Sequence, residues 1–117
     1  MIGIDLVVVS RMAQKIQNES FVSGVFTARE IAYYQKKGVR AETLAGIFAA
    51  KEATAKALGT GFSGFRPNDI EVLHNDSGAP IIKLHNAAEN LLGNKTIHVS
   101  ISHDGDFATA VAMLSCE

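Results

Sequence analysis

One stretch limits the possible folds more than any other: "AETLAGIFAAKEATAKALGTG", residues 41 to 61. Its composition and spacing predict a helix over about residues 41 to 58. Leu44, Ile47, Phe48, Ala55 and Leu58 recur at steps of three and four and form an apolar stripe. Gly59 supplies a C-cap. Ala49, Ala50, Ala53, Ala55 and Ala57 leave the helix little bulk, so another backbone or a ligand can approach it closely. Yet the same run carries Lys51, Glu52 and Lys56. Glu52 and Lys56, four residues apart, share a face; as an ordinary helix pair they are worth roughly 0.3 kcal/mol. Lys51 lies about a hundred degrees round and reads as a solvated charge or a ligand contact.

The elements around this helix are strand-rich. "IGIDLVVV", residues 2 to 9, reads as a strand buried on at least one face, followed by a short helix to about residue 18 with Ser10 as its cap. In "FTAREIAYYQKKG", Thr27 and Glu30 have capping-box spacing and Gly38 marks the stop. "DIEVLHN" and "PIIKLH" flank the turn residues "DSGA", and "NAAENLLG" suggests a short helix capped by Asn86. "KTIHVSISH" and "FATAVAML" around "DGD" give the strongest hairpin signal in the chain. The pattern predicts a single α+β domain over residues 1 to 117, with a small antiparallel sheet packed against one long helix and shorter helices.

Charge and cysteine content narrow the function classes. A net charge of −1 gives no field suited to a nucleic-acid backbone, so any phosphate-bearing ligand needs a local site. The lone cysteine, Cys116, forms no internal disulfide, and the apolar runs are too short to span a membrane; the expectation is a cytoplasmic protein.

Asp5 interrupts Ile2, Ile4, Leu6, Val7, Val8 and Val9, and a carboxylate removed from water needs a partner. It either faces solvent on an edge strand or serves as a metal ligand or hydrogen-bonded anchor. His103 ends a strand at the rim of a sheet, and its spacing to His74, His85 and His98 does not suit zinc. One combination is chemically coherent. Mg²⁺ is commonly held by one or two carboxylates, waters and substrate phosphates. Asp5 and Glu52 supply the carboxylates if the first strand packs beside the long helix, and Lys56, one turn on, faces the same phosphates. That is a minimal phosphoryl-transfer site.

In order, "GIDLVVVSRM", "FTAREI", "LAGIFAAKEATAKALGTG", "DIEVLHNDSGAP" and "VSISHDGDFATAVA" resemble the bacterial holo-[acyl-carrier-protein] synthases, short 4′-phosphopantetheinyl transferases. The resemblance implies Mg²⁺-dependent transfer of 4′-phosphopantetheine from coenzyme A to a serine of apo acyl carrier protein, in fatty acid biosynthesis. The second product is adenosine 3′,5′-bisphosphate. It implies Asp5 and Glu52 as metal ligands, Lys56 as the cation on the phosphates, and Glu52 or a metal-bound water as the base for the serine. His103 and the Gly78-Ala79-Pro80 loop resemble the coenzyme A pocket. Arg11 resembles a contact to the acidic carrier protein. A homotrimer with active sites between subunits is implied as well. One position departs: the family commonly has Arg where this chain has Ile47, a residue similar in role to a clamp on a coenzyme A phosphate. Arg40 or Lys51 is a candidate substitute. That departure keeps a second reading open, a non-catalytic trimeric module that binds coenzyme A or carrier protein, alongside a different Mg²⁺-dependent nucleotide enzyme.

Overall fold

The structure, a computed structural model, describes residues 1–116. In chain order the elements are β1 (Ile2–Val8), α1 (Val9–Lys15), α2 (Glu19–Val25), α3 (Ala28–Lys36), α4 (Ala41–Ala57), a 3₁₀ turn (Pro67–Asp69), β2 (Ile70–His74), β3 (Pro80–Leu84), α5 (Asn86–Leu92), β4 (Lys95–Asp104) and β5 (Phe107–Cys116). The architecture is α+β, with two antiparallel sheets rather than the one expected. β1, β5 and β4 form one in the order β1-β5-β4; β2 and β3 form a separate hairpin.

α4 is the centre of the molecule, and its alanines explain why. Leu44, Ile47, Ala49, Ala50, Ala53 and Ala57 are all buried, so the helix is covered on more than the predicted stripe. The three-stranded sheet covers one side. β5 turns Ala108, Ala110, Ala112 and Leu114 inward against it, small side chains that let the sheet approach closely. β1 approaches closest of all. A Cβ on Gly3 would stand 2.1 Å from the Ala53 carbonyl oxygen and 2.8 Å from the Ala57 nitrogen. The close approach that the alanines permit is therefore that of β1.

The termini of the elements follow local chemistry. Thr27 and Glu30 form the expected capping box on α3, and Gly38 ends it at φ +95°. Gly59, at φ +88°, ends α4. The β4–β5 hairpin turns at Gly105-Asp106, where Gly105 has φ +57°.

Other readings are corrected. The first helix stops at Lys15, and α2 follows, capped by the Asn18 side chain, which accepts from Ser20 and Phe21. Ser10 lies inside α1 and does not cap it. Asn86 is the first residue of α5, not its cap; its side chain donates to Asp69.

β1 presents two unlike faces. Gly3, Asp5 and Val7 turn towards the covered side, whereas Ile2, Ile4 and Leu6 are 68%, 65% and 63% exposed. In the register they lie beside Met113, Val111 and Thr109, so the outer sheet face carries a continuous apolar strip. No helix among the described residues is long and apolar enough to cross a membrane.

Candidate active site

Two facts of packing build the first cleft. Gly3 seats β1 on α4, and the two-residue period of the strand then turns Asp5 towards the helix as well. Glu52 and Lys56 meet it from α4. The Lys56 Nζ donates to the Ile4 carbonyl at 2.9 Å and lies 3.3 Å from Asp5 Oδ1. Asp5 and Glu52 line one cleft of about 210 Å³ with Arg11 and Lys15 of α1 and with Phe48. Burial pushes the Glu52 carboxyl above its ordinary range, and the negative charge of Asp5 adds to this; Lys56 and Lys15 oppose it. Two carboxylates facing each other at that cost form an arrangement that a divalent cation would relieve.

The donor set fits Mg²⁺ and does not fit a protein-encaged metal. No group of three or more His, Cys, Asp or Glu side chains suited to a metal occurs among the described residues. Mg²⁺ ordinarily needs only one or two carboxylates when phosphates supply the rest.

A second groove lies at the other end of α4. It has a volume of about 250 Å³ and is lined by Pro80, Gly78, His103, Lys37, Glu42 and Ile47, among others. His103 Nδ1 is 3.1 Å from Glu42 Oε2, and Arg40 pairs with the same carboxylate. Arg40, Lys37 and His103 thus gather three basic side chains at one edge. Lys37 was not singled out from the sequence, where it reads only as part of the basic end of α3. Ile47 is 1% exposed and belongs to the core while it lines the groove.

Within one chain the two regions stay apart. From Glu42 to Glu52 the helix rises about 15 Å, and the cleft and the groove have no lining residue in common. Asp5, Glu52, Lys56 and Arg11 are brought together; Pro80 and His103 are brought together elsewhere.

Lys51 overturns its sequence reading. It is fully buried, with its Nζ 2.8 Å from Glu30 Oε1 and donating to the carbonyls of Pro67 and Ile70 at 3.1 and 2.6 Å. Burial lowers its pKa and the Glu30 charge opposes that shift. Glu30 is equally buried and accepts from the Thr27 and Val72 amides. A lysine so enclosed is neither a solvated charge nor a ligand contact.

Comparison with known proteins agrees with this architecture. The model of the 4′-phosphopantetheinyl transferase superfamily matches residues 1–112, and the chain belongs to that superfamily. Within it, the chain is similar to holo-[acyl-carrier-protein] synthases. The enzyme of Clostridium perfringens is 46% identical over 125 residues, covering 99% of this chain and 93% of that protein. That of Caldicellulosiruptor bescii is 48% identical over 115 residues, covering 96% and 94%. The crystal structure of Helicobacter pylori holo-[acyl-carrier-protein] synthase in complex with coenzyme A superposes with a TM-score of 0.86 at 33% identity, covering 98% of this chain and 100% of that one.

Proposed function

We propose that the chain transfers 4′-phosphopantetheine from coenzyme A to a serine of apo acyl carrier protein. The observation that carries the proposal is the facing pair Asp5 and Glu52 with Lys56 at its edge, in a chain whose solved relatives include complexes with coenzyme A. Asp5 and Glu52 would hold Mg²⁺, which supplies charge neutralisation on the pyrophosphate of the substrate.

The chain's own residues do the rest. The serine oxygen bonds to the phosphorus that carries pantetheine, and the bond from that phosphorus to adenosine 3′,5′-bisphosphate breaks. Glu52, which lines the cleft beside Asp5, accepts the serine proton. Lys56 steadies the phosphate charge that develops on the leaving group. Arg11 faces the acidic carrier protein. At the second groove, Arg40 and Lys37 take the phosphate role that Ile47 cannot fill, and His103 and Pro80 line the adenosine end.

Because cleft and groove are separate in one chain, the complete site joins the cleft of one subunit to the groove of a neighbour. The exposed Ile2, Ile4 and Leu6 face is the surface that this assembly covers. Subunit complementation tests both points. Asp5→Asn and His103→Ala proteins should each transfer poorly, and co-refolded mixtures should regain activity through hybrid sites. Mixtures no better than the average of the two variants would refute the shared site. Full activity of Glu52→Ala would refute the assignment of the metal site to Asp5 and Glu52, whereas a wild type that binds coenzyme A but transfers nothing would favour the binding module.

A further inference from the structure

Nothing in the sequence of α1 holds its start. It has seven residues, its N-cap residue is Val8, and its first turn carries no acidic side chain. A helix of that length does not persist unaided. The cap arrives from the far end of the chain. Asp106, in the turn between β4 and β5, accepts the Ser10 amide on Oδ1 at 2.9 Å and the Ser10 hydroxyl on Oδ2 at 2.8 Å. Its carbonyl accepts the Val9 amide at 2.8 Å. The hairpin does not require that side chain, because Gly105 supplies the left-handed residue of the turn. Both carboxylate oxygens are instead committed to Ser10, and their charge suits the positive end of the helix.

What α1 presents makes this cap consequential. Met12 anchors the middle of the helix in the core at 1% exposure. Arg11 and Lys15 flank it and line the cleft with Asp5 and Glu52. The Lys15 ammonium lies 5.8 and 5.9 Å from the ring centres of Phe21 and Phe48. The result is a cationic and aromatic surface beside the reacting groups, suited to an acidic protein. Its aim depends on where α1 begins.

We propose that Asp106 is a positioning residue for the protein acceptor: it caps α1 across the fold and thereby fixes Arg11 and Lys15 at the rim of the cleft. This rests on the transferase reading above. Asp106→Ala should raise KM for apo acyl carrier protein about fivefold, the size of a lost helix cap, with kcat and KM for coenzyme A unchanged. Amide exchange should quicken in α1 and stay slow in α4. Asp106→Asn keeps an acceptor for the Ser10 amide and should recover most of the loss. Should Asp106→Ala fail to fold, Ser10→Ala, which removes one of the bonds, should show the same split at smaller size. An active wild type whose carrier KM does not respond to these variants overturns the inference. So does a parallel fall of all constants with the folded fraction. A wild type that transfers nothing overturns the transferase reading, and this inference with it.

Discussion

Replacing Lys51 with methionine separates a structural charge from a catalytic one. Methionine keeps the length of the side chain and its unbranched shape, so little cavity forms. The ammonium is lost. Glu30 is then left fully buried with only the Thr27 and Val72 amides as donors, and the carbonyls of Pro67 and Ile70 each lose the ammonium as a donor, Pro67 keeping the Ile70 amide. Breaking a buried pair from one side costs about 3–5 kcal/mol. That is a large share of the roughly 5–15 kcal/mol that holds a domain of this size folded. A solvated or ligand-contacting lysine would cost no more than about 0.5 kcal/mol. Urea unfolding followed by circular dichroism reads the difference directly, as a lower midpoint at unchanged slope. Glu30→Gln in the same background should cost less than it does alone, because the two side chains act as a pair. Activity per folded molecule should survive at low temperature. The reasoning fails if Lys51→Met costs under about 1 kcal/mol, or if it leaves stability intact and raises KM for coenzyme A.

Three further outcomes follow from the same geometry. Glu52→Gln should abolish transfer yet raise the urea midpoint of the metal-free protein at neutral pH. A carboxyl whose pKa is raised on folding contributes stability below its unfolded pKa and loses it as pH rises through the folded one. Gly3→Ala should destabilise by about 1–3 kcal/mol or more, since the new methyl meets the Ala53 carbonyl oxygen, a backbone atom with no room to yield. Thermal unfolding and the accompanying loss of transfer would report it. Acid unfolding should show the Glu71 network. Burial alone would raise that carboxyl, but hydrogen bonds from Arg29, Thr27 and His85 outweigh it and hold it at about 2. Its contribution, on the order of 2–3 kcal/mol after allowance for the exposed Arg29, is present above about pH 4.5 and is lost as pH falls towards 2. Glu71→Gln should flatten that part of the stability curve.

Much of this was legible because it depends on near neighbours. The capping box at Thr27 and Glu30, the turn at Gly105, the stop at Gly59 and the long helix are all set within a few residues, and the structure has each of them. The cleft was legible by a weaker route. Asp5 among apolar residues needed a partner, and the alanines of α4 left room for one. What could not be read was long-range. Lys51 looked solvated because its partner, Glu30, already had a local use at the cap of α3; one carboxylate serves both. α2 was missed because "ESFVSGV" is a poor helix by propensity, held by the Asn18 side chain and by Phe21 packed against Phe26 and Phe48. Asp106 read as turn chemistry, and only the fold brings it to α1. The apolar outer face of β1 could not be told from the inner one, because the run read only as buried on at least one face and both faces carry apolar residues.

The central claim is that this chain moves a phosphopantetheine arm, and intact-mass spectrometry of the acceptor tests it most directly. Apo acyl carrier protein is incubated with the chain, coenzyme A and Mg²⁺, with EDTA and Glu52→Gln as parallel controls. The account predicts a mass gain of one phosphopantetheine arm on the carrier, lost in EDTA and absent with the variant. An unmodified carrier in every arm, with coenzyme A still bound to the chain, would contradict it.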